Sequence, residues 1–312
     1  MSAQEPRALT RELRRNWQLF LMVAPAVILV LLLSYIPMSG LLVAFKDYRY
    51  NLGIFGSDWA SHGGLNNFRF LFLSGKGWSI TRNTILYNLA NLITSQLLAL
   101  MVAIAITEMR GRMFKKISQS IIFLPYFISW IVVGTFVYNI FNYEYGTLNT
   151  ILTSLGLDKV NMYAIPTAWV FIIMFFNAWK WVGYNSVVYI AAITGVDAEC
   201  YEAADIDGAN IWQRIWYVTF PSIKPTIIVI LLLNVGRILR GDFQMFYQIV
   251  GLNGQLYDMT DVIDTYVFRA LITGGDVGMT AAATLYQSVL CFLIITVVNA
   301  IVKKIDADYA LF

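Results

Sequence analysis

Residues 17–45 read WQLFLMVAPAVILVLLLSYIPMSGLLVAF, a run without one charged side chain. A helix crosses a bilayer core with about 20 mostly apolar residues, because only an internally hydrogen-bonded backbone survives there. Arg7, Arg11, Arg14 and Arg15 precede the run, as basic residues precede a secretory signal. The run nevertheless far exceeds the ~7–15 residues of a signal core, and no small-residue cleavage site follows it. It reads as a retained first span. Working outward, five more stretches have the same character: Ile80–Ile106, Ser118–Phe141, Ala164–Ala192, Ile223–Val250 and Thr280–Val302. The expected fold is an all-α integral membrane protein with about six transmembrane helices.

Composition agrees with the runs. Of 312 residues, 58% are hydrophobic and 13% charged, against about 45–50% and 25% in soluble domains. A net charge of +3 gives no electrostatic footprint for nucleic acid. Cys200 and Cys291 fall in an expected cytoplasmic loop and a span, which favours neither a disulfide nor a metal site. His62 is the single histidine, so no metal site is expected.

Orientation follows lysine and arginine. The amino-terminal tail, the Glu108–Ile117 loop (Arg110, Arg112, Lys115, Lys116) and Lys303–Lys304 fall on one side if six spans alternate. Both termini are therefore expected in the cytoplasm. The Lys46–Ser79 loop carries four basic residues on the opposite side, an imperfection in the rule. The expected organisation is a tail, 1–16, and a transmembrane domain, 17–312, with a distinctive cytoplasmic loop at 195–221.

That loop is acidic for its side of the membrane: Asp197, Glu199, Glu202, Asp205 and Asp207 outnumber Arg214. Thr194 followed by Asp197 resembles a capping box. Glu199–Ile206 suits a helix, Asp207-Gly208 a turn, and Ile211–Val218 a second short helix before Pro221 starts the fifth span. Glu202-Ala203-Ala204, then Gly208, then Val218-Thr219-Phe220-Pro221 resembles the EAA loop of binding-protein-dependent ABC importer permeases. Val218 and Phe220 stand where isoleucine and leucine are commoner, and both remain apolar. The Asp207-Gly208-Ala209 extension resembles the carbohydrate-uptake branch. Trp179-Lys180-Trp181-Val182-Gly183-Tyr184-Asn185 and Val262-Ile263-Asp264-Thr265-Tyr266 are similar to maltose-type and LplB-type oligosaccharide or polysaccharide permeases.

The resemblance implies a type I importer fold and a coupling helix that docks on a separate ATPase. Glu202 would offer charge, Ala203 and Ala204 close approach, and Gly208 a bend, with Asp207, Ala209 and Pro221 completing the motif. It further implies two ATPase subunits carrying ATP and magnesium, a second permease (a different homologous chain is favoured) and an extracytoplasmic solute-binding protein. No cofactor is expected on this chain. It contains no Gly-x-x-x-x-Gly-Lys-[Ser/Thr] phosphate loop; Gly75-Lys76-Gly77 lacks the spacing and the hydroxyl. No serine–histidine–acid set occurs either, so catalysis is not expected of this polypeptide.

Charges inside a span cost at least about 2.5–3.5 kcal/mol on insertion scales and usually face a protein interior or a watery cavity. On a continuous fifth helix, Asn234, Arg237, Arg240, Gly241, Gln244 and Gln248 fall within an arc of about 120°, with Asp242 off it. This stripe could line a path for a hydroxyl-rich solute, with Tyr247 and Phe243 stacking on sugar rings. The arginines suit an anionic solute, since a guanidinium meets a carboxylate bidentately. They equally suit ion pairs with Asp242, Glu144 or a partner subunit. Lys180 could line the path beside Asn177 and Asn185, or hold helices together. Thr284, Gln287, Ser288 and Asn299 suit interhelical hydrogen bonds. Tyr143 and Tyr145 suit interface anchors or a solute-receiving surface. An ion-coupled secondary transporter is the rival reading; it would predict paired repeats and a mid-membrane carboxylate relay. A membrane enzyme or scaffold would need a catalytic cluster.

Overall fold

The computed structural model describes residues 15–73 and 75–305. Residues 1–14 of the expected tail, with Arg7, Arg11 and Arg14, lie outside the described residues. The described chain is almost entirely helical, with one isolated antiparallel bridge, Lys46 to Trp59. The described residues form two compact units, 15–70 with 276–285 and 71–275 with 286–305.

In the first unit, α1 (Trp17–Phe45) runs as an α-helix, a π-turn at Leu31–Tyr35 and a 3-10 stretch from Ile36. Pro37 has no N–H and crowds the carbonyl four residues back, which places the irregular turns there. The connection after α1 is fixed by two buried polar side chains. Lys46 Nζ donates to Ser57 O at 2.8 Å and lies over the Trp59 ring. Asn67 Nδ2, on α2 (Asn66–Leu73), donates to Ala44 O and Lys46 O, both at 3.0 Å. The four basic residues that blemish the orientation rule all have partners among the described residues. Arg49 meets Asp47, Arg69 meets His62, and Lys76 meets Asp258 and Asp261 in the second unit's own fold.

The second unit is built on α3 (Lys76–Glu108) packed along α7 (Pro166–Thr194). Between them come α4 (Arg112–Phe123), α5 (Trp130–Phe141) and α6 (Thr147–Ser154). After α7 come α8 (Ala198–Ile206), α9 (Ile211–Val235), α10 (Phe243–Val250), α11 (Ile263–Ile272) and α12 (Val277–Ile305). One buried cluster gathers Trp130, Val133, Trp169, Ile173, Phe246 and Ile249; a second joins Ala99, Ala103, Tyr189 and Ile223. Gly183 lets α7 approach α4 closely: a Cβ there would lie 2.1 Å from Ile122 O.

Among the described residues, α1, α3, α9 and α12 are long and apolar enough to cross a membrane. The expected spans depart from this in three places. Ser118–Phe141 is not one helix but two, bent by 90° around residues 128–129, because Pro125 cannot extend the helix and Ser129 caps a new one. Ala164–Ala192 is the 29-residue α7, long enough to cross but interrupted by Asn177, Lys180 and Asn185. Ile223–Val250 begins earlier, at Ile211, and ends at Val235; residues 236–242 leave the helix before α10 begins.

Candidate functional site

The break after α9 shapes the site. A strand of lipid-facing irregular backbone would leave polar groups unsatisfied, so such a break survives only where other groups complete it. Amide side chains do so here. Asn88 Nδ2, from α3, donates to Ile238 O at 2.8 Å and to Arg240 O at 3.2 Å. Gln287 Nε2, from α12, donates to Leu239 O and to Asp264 Oδ2. Asp264 Oδ2 in turn accepts Gly241 N–H at 2.8 Å. Asp242 caps α10, with Oδ1 accepting Met245 N–H and Oδ2 accepting Trp130 Nε1 at 2.8 Å. The helical stripe expected over 234–248 therefore does not exist as a stripe, because its middle is not helical. Asp242 sits off the arc for a different reason from the one expected: it starts a new helix.

Unwinding still gathers part of the expected set. Asn234, Arg237, Arg240 and Asp242 line a cavity of about 490 Å³, together with Asn88, Asn91, Ser95 and Gln96 from α3 and Asn177, Trp181, Tyr184 and Asn185 from α7. Tyr126, just after α4, completes the wall. Its ring stacks on Tyr184 at 4.5 Å, and Trp181 meets Tyr184 edge-on at 5.8 Å. Asn177 donates to Ser95 Oγ at 3.2 Å, whereas the buried Asn91 Oδ1 accepts nothing. Both arginines are exposed to the cavity, and among the described residues neither forms an ion pair with Asp242, Glu144 or any other carboxylate. Arg240 acts on Asp264 electrostatically, without contact.

The remaining expected path residues lie elsewhere. Gln248 lines a second cavity of about 580 Å³, with Tyr138, Asn142, Tyr143, Glu144, Tyr163 and the 249–254 segment. Burial pushes the Tyr163 phenol up to about 12. Gln244 is exposed and lines neither cavity. Tyr247 packs between Phe243 and Phe268. Lys180 is buried away from the cavity: its ammonium donates to Tyr126 O at 2.9 Å and to Ile128 O, and lies over the Trp130 ring. Among the described residues it makes no ion pair; it satisfies the carbonyls freed by the 90° bend.

Sequence reading missed Asn88, Asn91, Ser95 and Gln96. A signal existed: Asn88, Asn91 and Ser95 fall within about 60° on one helix, a polar stripe in an otherwise apolar span. Tyr126 and Tyr184 carried no such signal, since only the bend brings them together.

The 195–221 loop is largely exposed, with Ile215 and Thr219 buried. Asp197, not Thr194, starts α8, accepting Glu199 N–H at 3.0 Å; Thr194 Oγ1 bonds back to Ile190 O within α7. Glu202, Ala203, Asp207 and Pro221 are exposed, and Ala204 and Ala209 half-buried. Gly208 turns the chain at φ +74°, with open space where a Cβ would be. The second short helix is no separate element: Asn210 caps it in a capping box with Gln213, and it continues through a π-turn at Ile215–Thr219 into the rest of α9. The π-turn precedes Pro221 and Pro225, so the helix widens where proline crowds the preceding turn. Ile206, Trp212 and Tyr217 stand 86%, 69% and 79% exposed around this segment.

The profile of the family described as "Binding-protein-dependent transport system inner membrane component" matches residues 95–307. Protein LplB of Bacillus subtilis is 32% identical over 296 residues, covering 95% of this chain and 92% of that protein. The polygalacturonan/rhamnogalacturonan transport system permease protein YteP of Bacillus subtilis is 31% identical, covering 93% and 89%. A solved bacterial ABC transporter involved in the import of the acidic polysaccharide alginate superposes with a TM-score of 0.86 at 30% identity, over 96% of this chain and 99% of that one. The bacterial alginate ABC transporter in complex with alginate pentasaccharide-bound periplasmic protein gives 0.84 at 31% identity, over 95% and 97%.

Proposed function

Because the chain belongs to the family of binding-protein-dependent transport system inner membrane components, we propose that it is the permease subunit of an ATP-driven importer carrying an acidic oligosaccharide or polysaccharide into the cytoplasm. The observation that carries the substrate class is the cavity wall: two arginines without carboxylate partners beside a stacked tyrosine pair and six amide side chains, Asn88, Asn91, Gln96, Asn177, Asn185 and Asn234. Amides suit sugar hydroxyls, aromatic faces suit pyranose rings, and unpaired guanidinium groups suit uronate carboxylates. The relatives' polygalacturonan and alginate substrates, both acidic, support the same class.

The subunit is not itself catalytic. Work enters at the 195–221 loop, where Glu202, Ala203, Ala204, Asp207, Gly208, Ala209 and Pro221 form the docking segment for an ATPase subunit. The exposed Ile206, Trp212 and Tyr217 beside it supply apolar area suited to such a partner. ATP and magnesium belong to two such ATPase subunits. A second permease, a different homologous chain, completes the pathway in the bacterial cytoplasmic membrane, and a solute-binding protein delivers the saccharide from outside. Among the path residues, Asn234, Arg237 and Arg240 contact the solute in the main cavity. Gln248 lies along an outer vestibule, and Lys180 and Tyr247 support the walls.

Reconstitution of the complex with its ATPase and binding protein tests this. ATP-driven uptake of an oligouronate in preference to a neutral oligosaccharide of equal length is expected. Preference for the neutral sugar would sink the acidic assignment, and no ATPase co-purifying with the chain would sink the importer.

A further inference from the structure

Glu108 is the last residue of α3. A carboxylate there faces the negative end of the helix dipole, an unfavourable place unless a cation answers it. Arg214 does. Its Nη2 lies 2.7 Å from Glu108 Oε2, while Nη1 lies 2.8 Å from Asp205 Oδ1 on α8. One guanidinium thus ties three elements: the end of α3, the docking helix α8 and, through its own backbone, the start of α9. The Glu108 contact is the sheltered one, with side chains 24% and 21% exposed, whereas Asp205 is 56% exposed. Tyr201 adds a parallel tie from α8 to α9 through its hydroxyl and Thr219 Oγ1 at 3.1 Å, but among the described residues α3 is joined to α8 by Arg214 alone among the ion pairs.

The tied ends lead to the cavity. From Arg214, α9 runs about 30 Å to Asn234; from Glu108, α3 runs about 30 Å back to Asn88. Both far ends line the same cavity. The geometry points to Arg214 as the positioning residue that makes α3 follow the docking helix, so that one movement of α8 displaces two walls of the solute cavity. α9 is continuous with the loop after α8 and follows through the backbone; α3 packs along α7 and against α9, and among the described residues the Arg214 pair is the ion pair that fixes its end to α8. A lysine could not replace the arginine, because a point charge cannot hold two carboxylates in fixed fork geometry.

This inference rests on the importer reading, and its test separates the two. In a Cys200→Ser, Cys291→Ser background, spin labels are placed at exposed apolar positions: Leu89 on α3, Leu233 on α9, and Phe136 on α5 as the reference. Distances are measured in the full complex without nucleotide and with ATP and vanadate. In the otherwise unaltered chain, both the Leu89–Phe136 and Leu233–Phe136 distances should shift. In Arg214→Lys and in Glu108→Gln, ATP hydrolysis and the Leu233–Phe136 shift should persist while the Leu89–Phe136 shift is lost; Asp205→Asn should weaken it less. Retention of the Leu89 shift in Arg214→Lys overturns the inference, as does loss of both shifts together. Failure of ATPase subunits to co-purify with the unaltered chain would instead overturn the importer reading from which it starts.

Discussion

At the scale of single residues, the informative feature is charge left without a partner. Arg237 and Arg240 line the cavity exposed, and among the described residues their guanidinium groups meet no carboxylate. Replacing either by glutamine keeps a hydrogen-bonding amide and removes the charge. A hydrogen bond to a charged group contributes about 1.5–3 kcal/mol, so oligouronate uptake by the reconstituted importer should fall by roughly 10- to 100-fold, while uptake of a neutral oligosaccharide changes little. Equal loss of both would show that the arginines hold the wall and do not read the solute. Two glycines make an opposite pair. Gly183→Ala would drive a Cβ into the Ile122 carbonyl, an overpacking cost of about 1–3 kcal/mol, visible as a lower thermal midpoint of the purified complex. Gly208→Ala meets no atom but must hold φ +74°, a local strain of about 1–2 kcal/mol, so it should impair ATPase coupling more than it lowers the midpoint of the whole.

At the scale of elements, three breaks in otherwise regular helices do the shaping, and two of them are completed by polar side chains from other elements. The bend between α4 and α5 is completed by Lys180, the unwound 236–242 segment by Asn88 and Gln287, and the widened turn before Pro221 by the π-register itself. Lys180→Met would strand the Tyr126 and Ile128 carbonyls at a cost of about 1–3 kcal/mol, and would release Tyr126 from its stack on Tyr184. The expected result is a lower thermal midpoint together with reduced uptake of acidic and neutral saccharides alike. That even-handed loss separates it from the arginine variants, whose defect follows solute charge.

At the scale of the whole molecule, sidedness is the testable property. Cys200 is exposed on α8, in the proposed docking segment, and Tyr145, next in sequence to the cavity-lining Tyr143 and Glu144, is 61% exposed. A membrane-impermeant maleimide should label Cys200 in inverted vesicles and not in intact cells. In a Cys200→Ser background, Tyr145→Cys should show the reverse. The same sidedness for both positions would refute the expected orientation, because it would put the ATPase and the binding protein on one face.

The division between what was legible early and what was not follows from the range of the interactions. Hydropathy is a local property, so the six apolar stretches, the helical class and the family-like 195–221 loop were readable from the chain alone. The turn at Gly208 and the start of α8 near Asp197 were also local, whereas the choice of Thr194 as cap and the separation of Ile211–Val218 from the fifth span were mistaken. Helix continuity was not local. Residues 236–242 have a composition that a helix tolerates, and they unwind because Asn88 and Gln287, remote in sequence, satisfy the freed carbonyls. The sequence by itself therefore determined that this protein crosses a membrane and carries the loop through which it is proposed to borrow work. Only the tertiary structure decided that Arg237 and Arg240 share a cavity with α3 and Tyr126, that Lys180 does not, and that Arg214 joins the loop to α3. Those facts depend on which broken backbone groups found side-chain partners across the bundle, and no local pattern encodes that pairing.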